Sequence, residues 1–412
     1  MKKIALYIGL LLTLVNCKNS KVILDSKLYQ NSFTGVLVIN PTTRDTLYNY
    51  NSTKYFTPAS NIKIVTLFTA LNTIPDKIPS LKYHITKDTL YTEGTGDPTL
   101  LHPYFKDSTA ILFLKKYSNI VVNTSNFKDH KYGPGWAWED YDTYYSPEKS
   151  GFPIYGNVLT IYNKGNLISK PNYFKDSITF SDLLKRREEH ANTFYYNSTS
   201  KDTIITPFIT DNNLTKNLLE DILQKNVTIS STFPEGDKNI LYGIASDSVY
   251  KRMMHKSDNF LAEQLMLVSS GVLTDTLSFK IAKEHILKTK LSNLRQKPRW
   301  VDGSGLSRYN LFTPESMVHV LHELYKKLPK ERLYTLFPVV NAPKTKKEDP
   351  VQEPYLYAKS GSLGNNYCLS GYLITNSGKT VIFSFMNNHF MTSSSGIKKE
   401  IHHFFEHIRD TY

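Results

Sequence analysis

Apolar positions recur with two different periods along this chain. Gly35–Asn40 and Thr46–Tyr50 are short strand-like runs separated by Pro41–Arg44, which predicts a hairpin. After Thr57–Ser60 the spacing changes to i, i+3, i+4 and i+7, which predicts a helix whose apolar face carries Ile64, Leu67, Phe68 and Leu71. Pro75 ends this helix, because proline cannot continue the hydrogen-bonding pattern.

From about residue 76 to residue 206 the pattern changes again. Short strand-like runs are broken by Gly, Pro, Asn and Asp, and no long amphipathic helix is evident. We interpret this stretch as an inserted, mainly β lobe. Helical periodicity then returns, first at Leu214, Leu218 and Ile222 and again at Leu261, Leu265 and Val268.

The C-terminal part predicts a second hairpin and a closing helix. Tyr367–Thr375 and Lys379–Met386 flank Asn376-Ser377-Gly378, a strong turn signal. The helix carries Ile397, Ile401, Phe404, Phe405 and Ile408 on one face. The predicted fold class is therefore α/β of the α+β type, with an antiparallel sheet, helices on its faces and a separate lobe.

The N-terminus predicts export. Lys2 and Lys3 precede an apolar run, Ile4–Val15, that is too short to span a bilayer comfortably. Cys17 closes this segment as in a bacterial lipobox, so residues 1–16 would be removed and Cys17 would carry acyl chains that tether the protein to a membrane. Asn16 departs from the usual small residue before the cysteine, which leaves open an ordinary signal peptide with a different cleavage site.

Charge and cysteine content narrow the function classes. The formal net charge is +13, and removal of two lysines with residues 1–16 lowers it to +11. This positive charge would favour binding to an anionic wall polymer or to lipid headgroups, or it is simply that of a solvated surface. The lysines are scattered rather than clustered, so nucleic acid is not an expected partner. Cys17 and Cys368 are the two cysteines, so a lipidated Cys17 excludes a disulfide.

Ser60-Asn61-Ile62-Lys63 carries the first candidate chemistry. At the start of a helix, a spacing of three brings the lysine amine beside the serine hydroxyl. A neutral amine in that place can accept the hydroxyl proton and activate the oxygen as a nucleophile. Alone the pattern is weak, because a serine at a helix start is more commonly an N-cap.

Two further short motifs offer matching groups. Ser257-Asp258-Asn259 supplies a hydroxyl for a proton relay and an amide that can orient a lysine or a substrate carbonyl. Lys359-Ser360-Gly361 follows a β-type run, where a cation and a hydroxyl could meet a substrate carboxylate and the glycine would let a peptide backbone come close. Taken singly, the first is a cap-like turn and the second contains a solvent-facing edge lysine.

Together, in this order, the three motifs are the signature of serine penicillin-binding proteins and β-lactamases. From about residue 35 to residue 390 the chain resembles the class C low-molecular-mass penicillin-binding proteins, a family of D-alanyl-D-alanine carboxypeptidases and endopeptidases. The stretches that carry this resemblance are Gly96–Leu100, Gly135–Asp140, Asp302–Arg308 and Lys359–Leu363. The resemblance implies a β-lactamase-like transpeptidase domain at 22–75 and 207–412, interrupted by the lobe at 76–206.

The resemblance also implies a mechanism. Ser60 attacks the carbonyl between two D-alanines of a peptidoglycan stem peptide, Lys63 accepts its proton, and an acyl-enzyme forms that water releases. Ser257 and Lys359 pass a proton to the leaving amine, and Asn259 aligns Lys63 and the substrate amide. We expect burial and the Lys359 charge to lower the pKa of Lys63. β-Lactams would acylate the same serine.

By the same resemblance, backbone N–H groups of Ser60 and Ser362 form the oxyanion hole, and Ser360 and Gly361 contact substrate. A side pocket would read the free end of the stem peptide through Arg308 and an acid, either Glu139 or Asp140.

Other functions are less well supported. A β-lactamase would share the Ser60 chemistry but needs a group that activates water, and a catalytically idle wall-binding or sensor protein would not need the intact motifs. Asp302–Gly305 has too few correctly spaced glycines for a dinucleotide loop, so no cofactor is implied. The histidines near the C-terminus suggest a wet helix face rather than a metal site: His402, His403 and His407. The sequence does not separate carboxypeptidase from endopeptidase activity.

Overall fold

A computed structural model describes residues 29, 31–183, 185–197, 199–200, 202–340 and 353–412. The predicted export signal and Cys17 lie outside the described residues. Among the described residues, no helix is both long enough and apolar enough to cross a bilayer.

The strands of the described residues, in chain order, are β1 (Phe33–Ile39), β2 (Thr46–Tyr50), β3 (Lys77–Thr86), β4 (Thr89–Gly94), β5 (Asn119–Asn123), β6 (Val158–Asn163), β7 (Leu167–Lys170), β8 (Ile178–Phe180), β9 (Phe194–Tyr196), β10 (Ile204–Pro207), β11 (Val227–Ser230), β12 (Asn239–Ala245), β13 (Leu356–Leu363), β14 (Asn366–Ile374) and β15 (Thr380–Asn388). The α-helices are α1 (Ile62–Thr73), α2 (Thr109–Leu114), α3 (Asn212–Leu223), α4 (Ser246–Lys256), α5 (Asn259–Thr274), α6 (Phe279–Thr289), α7 (Pro314–Lys327), α8 (Lys330–Leu336) and α9 (Ser394–Thr411).

The chain forms two compact units. The first contains the described residues within 29–64, 293–300 and 308–412, and the second contains those within 65–292 and 301–307. The predicted domain boundaries at residues 76 and 206 stay a prediction. Within that predicted lobe the described residues form the eight short strands β3 to β10, and α2, of six residues, is the α-helix among them.

The first unit is built on one antiparallel sheet in the order β13-β14-β15-β1-β2. Both predicted hairpins, β1 with β2 and β14 with β15, are confirmed. On one face, Phe404 and Phe405 of α9 pack against Phe383 and Phe385. On the other, the Tyr372 hydroxyl donates to a carbonyl of α7. Because neighbouring strand residues point to opposite faces, the two helices cover the sheet on both sides, as predicted.

The second unit contains a mixed sheet in the order β11-β5-β4-β3-β12, a three-stranded sheet β10-β6-β7 and the pair β8-β9. A shared apolar core includes residues of β4, β5, β6 and α3. Helices α4 and α5 pack on one another, and α5 also packs on α6. This unit carries the Ser257-Asp258-Asn259 motif at the junction of α4 and α5.

One expectation about the last helix is partly wrong. His402 is buried, because it lies beside the apolar stripe of α9, whereas His403 and His407 are exposed as expected.

Candidate active site

Ser60 lies in a single 3₁₀ turn, Ala59–Asn61, that leads directly into α1. Ala59 has a φ of 48°, a left-handed conformation that is costly for a residue with a side chain and is typical of functional sites. The Ser60 side chain is half-buried, and Lys63 is fully buried in the first turn of α1. Lys63 Nζ and Ser60 Oγ are 3.0 Å apart. The spacing of three therefore forms the predicted amine and hydroxyl pair.

Asn61 connects this turn to the sheet by hydrogen bonds, a role that the sequence did not reveal. Its buried Nδ2 donates to the backbone oxygen of Lys359 on β13 at 2.8 Å and to that of Cys368 on β14 at 3.4 Å. A buried amide that donates to two strands fixes the turn against both. Asn61 thus sets the distance between the serine and the strand that carries Lys359.

The chain before Ser60 is fixed as well. Asn388, at the end of β15, accepts from the Thr57 backbone N–H at 2.7 Å and donates to the Thr57 carbonyl at 3.2 Å. The residues on both sides of Ser60 are therefore bonded to the central sheet. Such double attachment keeps the hydroxyl in one position before substrate arrives.

Gly361 allows this close approach. A Cβ at this position would lie 2.5 Å from the Pro58 carbonyl oxygen and 2.9 Å from the backbone nitrogens of Ser60 and Asn61. The sequence suggested that this glycine admits a substrate backbone. In the structure, the chain that packs against its Cα is the turn that carries Ser60.

Lys359 is buried, with 2% of its surface exposed, so the alternative of a solvent-facing edge lysine is wrong. Its Nζ donates to the Ser360 carbonyl at 2.7 Å. Burial lowers the pKa of Lys359 well below its usual value, and the charge of Lys63 lowers it further.

Among the described residues, the edge of β13 opposite β14 is paired with another chain segment only near its start. Near its start, the Ala358 N–H donates to Pro338 and the Val340 N–H donates to Leu356, so even-numbered residues point their backbone groups away from β14. Because this direction alternates along a strand, Ser360 and Ser362 also point their N–H and carbonyl groups outward. Ser362 is exposed.

Arg308 lies at the far end of β13. Its guanidinium donates from Nη1 to the Gly364 carbonyl at 3.1 Å, and the side chain is otherwise exposed. Within the first unit the structure thus brings together Ser60, Lys63, Lys359 and Gly361. Arg308 lies beside Gly364, just after the end of the same strand.

The Ser257-Asp258-Asn259 motif lies in the second unit. Ser257 ends α4 in a left-handed conformation with a φ of 54°, and Asp258 caps α5 by accepting from the Leu261 N–H at 3.1 Å. Asn259 donates from Nδ2 to the Tyr145 carbonyl at 2.9 Å. The motif does contain a helix cap, as the alternative interpretation predicted. Asp258 is the capping residue, and Ser257 and Asn259 lie on either side of it.

The Asp302 carboxylate organises the Asp-Gly-Ser-Gly-Leu loop in the same unit. Its Oδ1 accepts from the Gly305 N–H at 2.8 Å, and its Oδ2 accepts from the Ser307 N–H at 2.7 Å and from Trp136 Nε1 at 3.0 Å. One buried carboxylate therefore closes the loop and ties it to the tryptophan-containing stretch.

Glu263 is a second support for this loop that the sequence did not reveal. It lies one turn after Asn259 on α5, and its Oε1 accepts from the Ser304 N–H at 2.8 Å. Complete burial, together with the charge of Asp302, raises the pKa of Glu263 to about 7. An acidic residue among the apolar residues of α5, beside the polar Gln264, is the signal that could have identified it.

Comparison with known proteins identifies the family. The model of the D-Ala-D-Ala carboxypeptidase 3 (S13) family matches residues 17–173 and 212–407. The chain belongs to this family. The predicted class of enzyme, a serine-type D-Ala-D-Ala carboxypeptidase, is thereby confirmed.

Two carboxypeptidases are similar in sequence to this S13 chain over most of its length. It is 24% identical to D-alanyl-D-alanine carboxypeptidase DacB of Haemophilus influenzae, over 89% of this chain and 88% of the relative. It is 23% identical to penicillin-sensitive carboxypeptidase A of Dictyostelium discoideum, over 80% and 76% of the two chains.

Solved structures share the fold. The crystal structure of penicillin binding protein 4 from H. influenzae matches with a TM-score of 0.76 and 21% identity, over 95% of this chain and 99% of that one. A predatory peptidoglycan endopeptidase from Bdellovibrio bacteriovorus matches with a TM-score of 0.51 and 15% identity, over 91% and 93%. The predicted fold class is confirmed.

Glu139 and Asp140, the two acids that the resemblance assigns to a side pocket, differ in their surroundings. Both lie in the 3₁₀ turn Trp138–Asp140. Glu139 is exposed, whereas Asp140 is half-buried and its Oδ1 accepts from the Tyr145 hydroxyl at 2.6 Å. Because the Tyr145 carbonyl also accepts from Asn259, Asp140 belongs to a connected polar network.

The rate of acylation by a β-lactam should rise with pH from mildly acidic to alkaline conditions. The nucleophile needs a neutral amine beside it, and complete burial of Lys63 next to a second buried amine, Lys359, should favour the neutral form. Stopped-flow measurement with a chromogenic cephalosporin gives this profile. Lys359→Met removes the repelling charge and should move the rise to higher pH; a flat profile would contradict the assignment.

Proposed function

We propose that this S13 enzyme cuts D-alanyl bonds of peptidoglycan stem peptides through an acyl-enzyme on Ser60. The observation that carries the proposal is the 3.0 Å pair of Ser60 Oγ and the fully buried Lys63 Nζ. Lys63 takes the hydroxyl proton as Oγ bonds to the carbonyl carbon. The C–N bond then breaks, the amine leaves with a proton, and water later releases the acyl group.

The other motifs take complementary roles in this proposal. Ser257 and Lys359 deliver the proton to the leaving amine, and Asn259 orients Lys63 and the substrate amide. Burial of Lys359 supports its role, because an amine whose pKa is lowered gives up its proton more readily than an ordinary lysine. Lys359 and Ser360 also face the carboxylate of the terminal D-alanine.

The stem peptide lies along the outer side of β13 as an added strand. The N–H groups of Ser360 and Ser362, which point outward by continuation of the alternation at Leu356 and Ala358, support this mode, because an exposed strand edge binds extended peptides through main-chain hydrogen bonds. The N–H groups of Ser60 and Ser362 form the oxyanion hole, and the closeness of Gly361 to the Ser60 nitrogen is consistent with it.

In this proposal Arg308 and Asp140 are the residues that read the free end of the stem peptide. Arg308 is exposed at the end of β13, where it can meet a carboxylate on the stem peptide. Asp140 is the better of the two acids for an ammonium group, because its hydrogen bond to Tyr145 fixes its position, whereas Glu139 is freely solvated.

The proposal places the protein outside the cytoplasm, in the periplasm. Residues 1–16 act as the export signal, and acylated Cys17 tethers the mature chain to a membrane. The catalytic domain comprises 22–75 and 207–412, with 76–206 as the inserted lobe. Labelling cells with a radioactive fatty acid, with Cys17→Ala as the control, tests the anchor.

Covalent labelling tests the proposal as a whole. The purified protein should form a stable adduct with a fluorescent penicillin, and mass spectrometry of its peptides should find the added mass on Ser60. Peptidoglycan digests before and after treatment then separate loss of terminal D-alanine from cleavage of cross-links. An adduct on another residue would refute the Ser60 mechanism, rapid turnover of penicillin would favour a β-lactamase, and no adduct would favour a binding or sensor protein.

A further inference from the structure

A cleft of about 360 Å³ opens in the second unit, on the tryptophan-containing stretch. Ligand sites in proteins have volumes of about 300 to 1,000 Å³ and mostly apolar or aromatic walls. This cleft therefore has room for a small group rather than for a long chain segment. Four aromatic residues and three polar residues contribute most of its lining: Tyr132, Trp136, Trp138, Tyr141, Glu148, Glu189 and His190.

Three of the aromatic side chains already bond their polar atoms to other protein groups. The Tyr132 hydroxyl donates to Glu148 at 3.2 Å, the Tyr141 hydroxyl donates to the Arg187 carbonyl at 3.0 Å, and Trp136 Nε1 donates to the Asp302 carboxylate. What these side chains offer to the cleft is ring surface. Such rings are held rigidly by their own hydrogen bonds, which suits them to pack against a flat ligand.

Trp138 differs from the other three. Its side chain is 62% exposed, although its ring lies 6.1 Å from the Tyr141 ring and 6.0 Å from the His190 ring. Glu189 and His190 are also exposed beside it, with side-chain exposures of 52% and 82%. The rim of the cleft therefore combines one large ring face with hydrogen-bonding groups.

Acidic and basic side chains near the cleft are equal in number. Glu148 is buried and lies 3.3 Å from the ammonium of Lys131, and Arg187, also buried, lies with its guanidinium 5.1 Å from the Tyr141 ring centre. Together with Glu189, and with Asp142 and Lys185, which also act on Tyr141, these are three acids and three bases. A cationic ligand would meet an aromatic face already next to a guanidinium, so the cleft favours an uncharged ligand.

We propose that this cleft binds an uncharged, N-acetylated pyranose ring, supplied in the cell by the glycan strand of peptidoglycan. A pyranose has an apolar C–H face that can pack on the Trp138 ring and a polar edge that can bond to Glu189 and His190. The inference rests on the proposed function for the source of the sugar, because an enzyme that acts on peptidoglycan meets these sugars next to its stem peptides. The cleft then contributes affinity for intact wall material beyond that of the peptide.

Calorimetric titration of the whole protein with the β-1,4-linked trisaccharide of N-acetylglucosamine tests this site. We expect binding by the wild type, a loss of affinity of roughly tenfold in Trp138→Ala and a smaller loss in Trp138→Phe, which retains a ring. Phe180→Ala is the matched control, since Phe180 is 58% exposed in the same unit but does not line the cleft. Trisaccharide binding should not change in this control.

A kinetic comparison provides a second measurement. Trp138→Ala should raise KM for a disaccharide-linked stem peptide several-fold more than KM for the free peptide. Failure of the wild type to bind the trisaccharide, or equal effects of Trp138→Ala on both substrates, would overturn the inference. So would displacement of the trisaccharide by tetramethylammonium, which would identify a cation site. If these outcomes appeared while penicillin labelling stayed normal, only the sugar site would be refuted. If the protein bound the sugar but formed no penicillin adduct, only the proposed peptidase function would be refuted.

Discussion

Lys63→Met should lower the rate of acylation by penicillin by about a thousandfold or more. General-base catalysis contributes typically 10²- to 10⁴-fold, and Lys63 is the group 3.0 Å from the Ser60 hydroxyl within the first unit. Methionine is close to lysine in length and removes only the amine. Because Lys63 is fully buried, replacing its amine with an apolar group removes a desolvated polar group, so the free energy of unfolding should not fall. The acylation rate is measured by the time course of fluorescent penicillin labelling.

Two controls make this result specific. Ser60→Ala should give no adduct at all, which identifies the residue acylated in the wild type. Thermal unfolding of Lys63→Met should give a Tm equal to or above that of the wild type, so slow acylation cannot be ascribed to misfolding. Wild-type rates in folded Lys63→Met would mean that another group accepts the serine proton.

The local geometry of the candidate site was predictable from sequence. A spacing of three residues at a helix start places two side chains on one face, whatever the remainder of the chain does, and the measured pair of Ser60 and Lys63 follows this rule. The hairpins were predictable for a similar reason, since alternation and turn residues act over a few positions.

Features that depend on distant parts of the chain were not predictable. Asn61 and Lys359 are 298 positions apart, so no local pattern indicates that the amide of one bonds to the carbonyl of the other. The burial of Lys359 has the same origin, because an edge strand alone predicts an exposed lysine. Likewise, the family resemblance marked the loop that begins at Asp302 without revealing its support by Glu263.

Gly361→Ala should lower the acylation rate by about a hundredfold and the free energy of unfolding by about 1 to 3 kcal/mol. The added methyl group would lie 2.5 Å from the Pro58 carbonyl and 2.9 Å from the Ser60 nitrogen, and both are backbone atoms that cannot rotate away. Overpacking of this kind typically costs that much stability. A displacement of the turn by about 1 Å is enough to reduce a reaction rate by two orders of magnitude.

Gly364→Ala separates this collision from the general effect of replacing glycine. It lies just beyond the same strand, and its added methyl group would meet only the flexible tip of Arg308, at 3.2 Å. Both substitutions restrict the unfolded chain equally, a change that alone would stabilise the protein slightly. We therefore expect near-normal acylation and stability in Gly364→Ala, measured by penicillin labelling and urea unfolding. If Gly361→Ala behaved in the same way, the serine turn would not depend on its contact with β13, and the fixed position of Ser60 would need another cause.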